Sequence, residues 1–388
     1  MKALFSAICV AALVAVPTAF AAADSTSGSA STSSHATAAK TTTVTVYASG
    51  DVNVKSLYTD QLIPGFEKTH KNVKIKLVFS EHGTNDVTTI GRIGQAVKQR
   101  RWPGVDLVDG GLVTTLAIDG LTQPVKNAPK GTLPNMQKVD PSLLTPVRGA
   151  AIPYRGSSVV LAYDSAHVSS PPKTLDALLS WIKSHPGKFT YNSPNTGGSG
   201  YSFVETVLDK TIPAAVTKQM VNGYVPDLED SNWKAGFDTL KSLNGAVYQG
   251  VYPNGNQAVL DLLGKGQIWV APVWSDQALT AMRQNLLGPS IKLTQIKSPS
   301  FTGGAAYLGV PKTARSKRDV YAFVNYILSV KAQTQIVNVM SGYPAIDVKY
   351  LNANLKKKFA DVDANVLRQA YSSKMQNDVK AQWQQTVP

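Results

Sequence analysis

Three glycines stand within four residues, at Gly197, Gly198 and Gly200, in the stretch YNSPNTGGSGYSFV that runs from Tyr191 to Val204. A tight turn needs one glycine. Three, between a strand-like run and a helix-like run, predict a backbone kept bare because something approaches it closely. Ser199 adds a hydroxyl where a helix begins and free N–H groups favour polar atoms. Similar chemistry follows other apolar runs, at Ser49-Gly50-Asp51, Ser80-Glu81-His82-Gly83-Thr84 and Asp109-Gly110-Gly111. In open α/β sheets, ligands settle outside the carboxyl ends of the strands, so Ser49, Asp51, Gly83, Thr84 and Asp109 are candidate contacts. In Val270–Gln277 (VAPVWSDQ), Trp274 reaches a loop tip beside Asp276. An indole there can stack on a ring, cover a sugar face or hold a cation, and the carboxylate can receive a positive or hydroxyl group. Plainer readings stand beside these: Gly, Ser and Asp favour turns and caps, and a tryptophan can pack a hinge.

Residues for covalent or metal chemistry are poorly placed. Gly197-Gly198-Ser199-Gly200-Tyr201 lacks the last glycine of a nucleophile elbow. The five histidines, His35, His70, His82, His167 and His185, show no metal-ligand spacing. The one cysteine, Cys9, lies in the N-terminal apolar run. No enzyme activity, metal or cofactor is expected.

The N-terminus has the form of a secretory signal peptide over residues 1–21: Lys2, an apolar run from Ala3 to Val16, and a small-x-small site at Ala19-Phe20-Ala21. Residues 22–43 are rich in Ser, Thr and Ala and read as a flexible leader. Export without disulfides suits a periplasm, the expected location. The remaining length, about 345 residues, is long for one core and natural for two lobes. A net charge of +14 is scattered, its densest runs being Lys98-Gln99-Arg100-Arg101 and Lys356-Lys357-Lys358, so no nucleic-acid partner is expected.

The elements that must position the candidates follow from periodicity. Strands are predicted at Val44–Ala48, Lys74–Phe79 and Val105–Val108, with helices between them; the first carries Tyr58, Leu62 and Phe66 at four-residue spacing, and the second spans Val87–Arg101. That alternation implies parallel pairing. A second α/β region has strands at Ser158–Tyr163, Lys188–Tyr191 and Gln267–Ala271, a helix opened by Thr174, and another at Asn254–Leu263. A strand at Ala305–Val310 and a helix at Asp319–Leu328 follow, before a polar helical end.

In this order the elements resemble the extracellular solute-binding proteins of ABC importers, the type 2 periplasmic binding fold. Ile152–Asp164 (IPYRGSSVVLAYD) with Ser170–Leu179 (SPPKTLDALL) is similar to that family's first interdomain crossover and the helix start after it. His185–Tyr191 (HPGKFTY) leads into the glycine loop. Gly309–Arg315 (GVPKTAR), its helix through Gln333, and Ser341–Ala345 (SGYPA) are similar to the family's returning segment. The resemblance covers nearly all of Val44–Pro388 and implies an α/β fold of two lobes, each a mostly parallel sheet flanked by helices, joined by a hinge. By analogy, lobe 1 is 44–155 plus 302–340 and lobe 2 is 156–301 plus 341–388. Tyr154 and Tyr343 would line the hinge wall. The implied function is non-catalytic: a monomer captures a small polar solute between its lobes and delivers it to an ABC permease in the inner membrane. Asp51, Asp109, Asp276 and Trp274 tilt the expected solute toward a cation such as a polyamine or thiamine. A sugar or an anion in the same fold, and a secreted hydrolase, are the alternatives.

Overall fold

The β-branched run Thr42–Val46 makes Thr42–Gly50 a strand, β1, starting at Thr42 inside the stretch expected to be leader. The computed structural model describes residues 41–226, 233–358 and 368–388; the expected signal segment and the rest of the expected leader lie outside them. β2 (Val73–Glu81) and β3 (Leu107–Asp109) flank β1 in parallel. Between β1 and β2 the chain is helical over Val52–Ser56, Leu57–Leu62 and Ile63–Thr69, and the four-apart stripe of Tyr58, Leu62 and Phe66 is fully buried. The helix Asp86–Lys98 makes the second crossover and buries Thr89, Ile93 and Ala96. Both crossovers place their helix N-termini at the carboxyl end of the sheet, where the candidate loops lie.

The expected strand at Ser158–Tyr163 is longer than its apolar run. β4 spans Ile152–Asp164, and its two halves belong to different sheets. Residues Ile152–Ser158 pair antiparallel with β7 (Gly303–Gly309), whose far side meets β3. Residues Val159–Asp164 pair antiparallel with β5 (Val270–Trp274) and β6 (Ile291–Thr294). β8 (Tyr343–Pro344) joins β4 at Arg155 and Gly156. One strand thus serves both halves of the molecule, with β7 and β8 beside it at the crossing.

Parallel strand pairs belong to lobe 1. In lobe 2 the strand pairs are antiparallel, because β4 enters from the other sheet and its neighbours return against it. The run expected as a strand at Lys188–Tyr191 forms only bridges at Phe189, parallel to Val247 and Val270. Thr174 caps the helix Leu175–Ser184 as expected: its side chain accepts from the N–H of Ala177 at 3.2 Å.

Two large apolar clusters match the two halves. One joins Val44, Val46, Leu57, Tyr58, Phe66 and Leu107 to Val320, Phe323, Val324 and Ile336 of the returning segment. The other joins Val159, Leu161, Leu178, Ile182, Phe189, Tyr191, Phe203 and Val204. Each such buried side chain contributes about 1.5–3 kcal/mol relative to exposure. The C-terminal segment divides between them: Ile346, Leu351 and Leu355 pack in the first cluster, while Tyr371, Met375, Val379, Trp383 and Val387 pack in the second. Residues 341–355 therefore stay with the lobe 1 core, although the sequence reading grouped them with lobe 2.

Candidate functional site

The glycine loop opens the helix Gly198–Thr211. Its glycines are required by the protein's own groups. A Cβ on Gly200 would lie 1.8 Å from the carbonyl oxygen of Asn192, one on Gly197 2.2 Å from Asn192 Nδ2, and one on Gly198 2.9 Å from the Trp274 ring. The loop donors are likewise held internally. Asn192 Oδ1 accepts from Gly200 N–H and Asn256 Oδ1 accepts from Ser199 N–H, while the one Ser199 hydroxyl proton lies within reach of both amide oxygens. Ser199 is fully buried. Two asparagine amides do here what a ligand was expected to do.

Asn256, at the start of the helix Gly255–Gly264, also faces the other lobe. Its Nδ2 donates to Asp51 Oδ2 at 2.9 Å, and Asp51 Oδ1 pairs with His82 Nδ1 at 2.7 Å. The His82 ring lies against Gly255, where a Cβ would come within 3.1 Å of it. The rims of the two lobes meet at this point: the loop after β1 touches the helix start beside the glycine loop, through one amide bonded to both.

Beneath the rims, the crossing strand carries a polar floor. Asp109, fully buried at the end of β3, accepts from Tyr154 OH at 2.7 Å. Arg155 Nε donates to the same phenol oxygen at 2.8 Å, and Arg155 Nη1 reaches Asp276 Oδ2 at 3.5 Å. Asp276 accepts from Ser157 Oγ at 2.6 Å. Burial pushes both carboxyls up from the usual range, and the Arg155 guanidinium works against it. Burial alone would lower the Arg155 pKa, yet Tyr154, Asp109 and Asp276 together raise it, so it stays charged. Tyr343 OH lies 3.3 Å from Ser158 Oγ, and with Arg155 and Gly156 it lines a crevice of ≈ 20 Å³, room for about one water.

Nearer the surface of lobe 1, Ser49 Oγ and Tyr47 OH both donate to Asp86, at 3.1 and 2.8 Å. Gly83 turns the chain at φ +70°, where a Cβ would meet Asp86 Oδ2 at 2.9 Å, while Thr84 is exposed and donates to the carbonyl of Glu81. Both shape the turn into the Asp86 helix. Across from them, Lys380 on the helix Ser373–Thr386 sits 5.4 Å from the centre of the Tyr201 ring. Burial pushes its pKa down, and the Asp86 charge opposes that shift.

The residues expected at the site therefore fall into three groups. Ser49 and Asp51 stand on the rim of lobe 1, and Trp274 lies on the glycine loop. Asp109, Tyr154, Asp276 and Tyr343 form or border the floor. Gly197, Gly198, Ser199, Gly83 and Thr84 build the loops. Sequence reasoning missed Arg155, Asp86, His82, Asn192, Asn256 and Lys380. Arg155, His82 and Asn192 stand within stretches singled out in the sequence, and Asp86 is two residues past Thr84. Nothing local distinguishes Lys380 from the chain's other scattered lysines.

The chain matches the model for the bacterial extracellular solute-binding protein family over residues 61–385. It is 30% identical to Protein YnjB of Escherichia coli over 183 residues, 45% of this chain and 46% of that protein, so the match spans about half of that relative. The spermidine/putrescine ABC transporter substrate-binding protein PotD from Streptococcus pneumoniae superposes with a TM-score of 0.64 at 13% identity, over 90% of this chain and 100% of that one. The periplasmic binding protein AfuA from Actinobacillus pleuropneumoniae, solved with fructose-6-phosphate bound, also gives 0.64 at 13% identity, over 89% of this chain and 98% of that one. With the two-lobe α/β architecture and the strand that serves both sheets, this places the chain in the bacterial extracellular solute-binding protein family.

Proposed function

We propose that the chain is a periplasmic, monomeric receptor of an ABC importer, exported by its cleaved signal segment, which captures a small polar solute between its lobes, performs no reaction on it and hands it to an inner-membrane permease. The observation that carries this reading is the meeting of the rims at Asn256 and Asp51, 2.9 Å apart. A bond of that kind exists only when the lobes are near one another, so a solute that engages both rims favours the closed form by its differential affinity. Moving the hinge from 1:99 to 99:1 takes a preference of about 5.5 kcal/mol. A handful of hydrogen bonds at about 1 kcal/mol each, with one charged contact, is enough.

A cationic group on the solute fits the balance between the rims. Asp51 on lobe 1 lies close enough to Asp276 on lobe 2 that its charge raises the Asp276 carboxyl further. Arg155 already offsets much of that repulsion at Asp276, so an ammonium entering the cleft acts on the Asp51 charge, which no arginine reaches. Trp274, two residues before Asp276 at the end of β5, offers an aromatic face to a cation in the same cleft. PotD is named for two polyamines, whereas AfuA was solved with a sugar phosphate, so the fold accommodates solutes of either charge.

Thermal-shift measurement of the mature chain against amines, amino acids, sugars and organic anions tests the reading. A bound solute at 100 times its dissociation constant should stabilise by about 2.7 kcal/mol. Small-angle scattering should then show a smaller radius with solute than without. Turnover of any of these compounds, or no stabilisation by any of them, defeats it.

A further inference from the structure

Lys380 and Asp86 are the charges that neither the floor nor the rim contacts account for. Lys380 belongs to lobe 2: its neighbours Val379 and Trp383 lie in the second core, and one turn on, Gln384 Oε1 accepts from Asn195 Nδ2 of the glycine loop at 3.1 Å. The lysine therefore flanks the loop that meets the opposite rim. Asp86 belongs to lobe 1, at the start of a helix reached from β2, with Tyr47 OH and Ser49 Oγ each donating to one of its oxygens. Each Asp86 oxygen keeps room for a further donor.

The two charges flank the rim contact from opposite lobes without an ion pair. Lys380 lies over Tyr201, two residues from Ser199, whose N–H donates to Asn256; Asn256 bonds Asp51, two residues from Ser49, which donates to Asp86. Among the described residues Lys380 has no carboxylate within 4.0 Å. Its ammonium is held over the Tyr201 ring, partly withdrawn from water. An ammonium in that position lacks the counter-charge that usually accompanies burial. Each pole keeps capacity for a partner of opposite charge, and the two stand on opposite lobes beside the same rim contact.

We infer that Lys380 and Asp86 are the two poles of the solute site, and that the solute is zwitterionic: an anionic carboxylate or phosphate lies on Lys380 beside Tyr201, and an ammonium lies on Asp86. This deepens the receptor reading and rests on it. The solute's two ends touch different lobes, so only a molecule with both charges satisfies both poles at closure. A diamine leaves Lys380 facing a like charge, and a dianion does the same to Asp86.

The test is calorimetric titration of the full mature chain and of Lys380→Met and Asp86→Asn with four charge classes. The probes are amino acids including 4-aminobutyrate, O-phosphoethanolamine, the diamine putrescine with the triamine spermidine, and the neutral or anionic hexoses glucose and fructose-6-phosphate. The strongest binding is expected from an amino acid or from O-phosphoethanolamine, and which of these wins identifies the anionic group. Lys380→Met should weaken that zwitterion at least about 10-fold while leaving or improving diamine binding, and Asp86→Asn should weaken it while sparing solutes that carry no ammonium. Circular dichroism of both variants excludes unfolding as the cause. Tightest binding by a diamine, a hexose or a sugar phosphate overturns the inference and leaves the receptor reading intact. An equal loss for every solute in Lys380→Met also overturns it, since that marks a lysine acting on closure alone. Silence from all four classes defeats the receptor reading first and this inference with it.

Discussion

Asp109 and Asp276 differ from Asp51 and Asp86 in one respect that decides what each can do. All four follow a strand or open a helix, and all look equally available in the sequence. The first two share Arg155, whose guanidinium arrives from the crossing strand, so their charge is committed to the floor. Asp51 and Asp86 are bonded to a histidine, an amide and hydroxyl groups instead. The floor acids hold the lobes to a common strand; the rim acids keep capacity for a guest. A carboxylate's role here depends on whether an arginine reaches it from another element.

Removing that arginine should separate the two groups most sharply. Arg155→Met leaves Asp109 and Asp276 buried without a counter-charge, and a loss of about 3–5 kcal/mol in unfolding free energy is expected by urea titration. In an Asp276→Asn background the same substitution should cost clearly less, because the two act as one unit. A loss below about 1 kcal/mol in the single variant would mean the floor is not held by charge.

The glycine loop supplies the next effect. Gly200→Ala puts a methyl 1.8 Å from the carbonyl oxygen of Asn192, an obstacle made of backbone that cannot swing aside. A loss of about 1–3 kcal/mol is expected in the same titration. Gly111→Ala, with nothing within 4 Å of the added carbon, should be close to neutral. Equal effects at the two sites would return the loop to the ligand-approach reading.

Much of this frame was legible, and the gaps have physical causes. The four-apart stripe of Tyr58, Leu62 and Phe66 and the cap at Thr174 depend on neighbours in the chain, and both are present as expected. The full length of β4 was not visible, because Ile152–Ser157 contains Pro153, Arg155 and Gly156 and lacks alternation; its pairing comes from β7, far along the chain. The loop glycines were recognised as a response to close approach, but what approaches is Asn192 and Trp274, which periodicity could not bring to that point. Lys380 was illegible for the same reason: its surroundings are assembled from Tyr201 and Asp86, both more than a hundred residues away.

A second one-arginine arrangement predicts a pH effect. Arg368 contacts both Glu205 and Asp209, joining the C-terminal segment to the helix Gly198–Thr211. Burial, together with the Asp209 charge and against Arg368, pushes Glu205 up to about 8. The folded state therefore keeps a proton that the unfolded state releases near its ordinary value. Between those two values the native state binds more protons, so stability falls as pH rises, by up to about 1.4 kcal/mol per pH unit for one proton. Glu205→Gln should flatten the decline between pH 5 and pH 8, measured by urea midpoints across that range. An unchanged slope would show that Arg368 already keeps Glu205 ionised.

The smallest stability change belongs to the rim, where the consequence for binding should be larger than that for folding. Asp51→Asn keeps the shape, removes one charge beside Asp276 and weakens the contacts from His82 and Asn256. Half-buried hydrogen bonds of this kind contribute about 0.5–1.5 kcal/mol, and the relieved repulsion with Asp276 offsets part of the loss, so the unfolding midpoint should barely move. Solute affinity should fall about 10-fold, because the ammonium loses a charged partner that matters only when the lobes are closed. Scattering should place the solute-free variant at the same radius as the parent or a slightly smaller one, since the like-charge pair that resists closure has gone. A large loss of stability with unchanged affinity would reverse the assignment, making Asp51 a structural acid like Asp109 and leaving Asp86 to hold the solute alone.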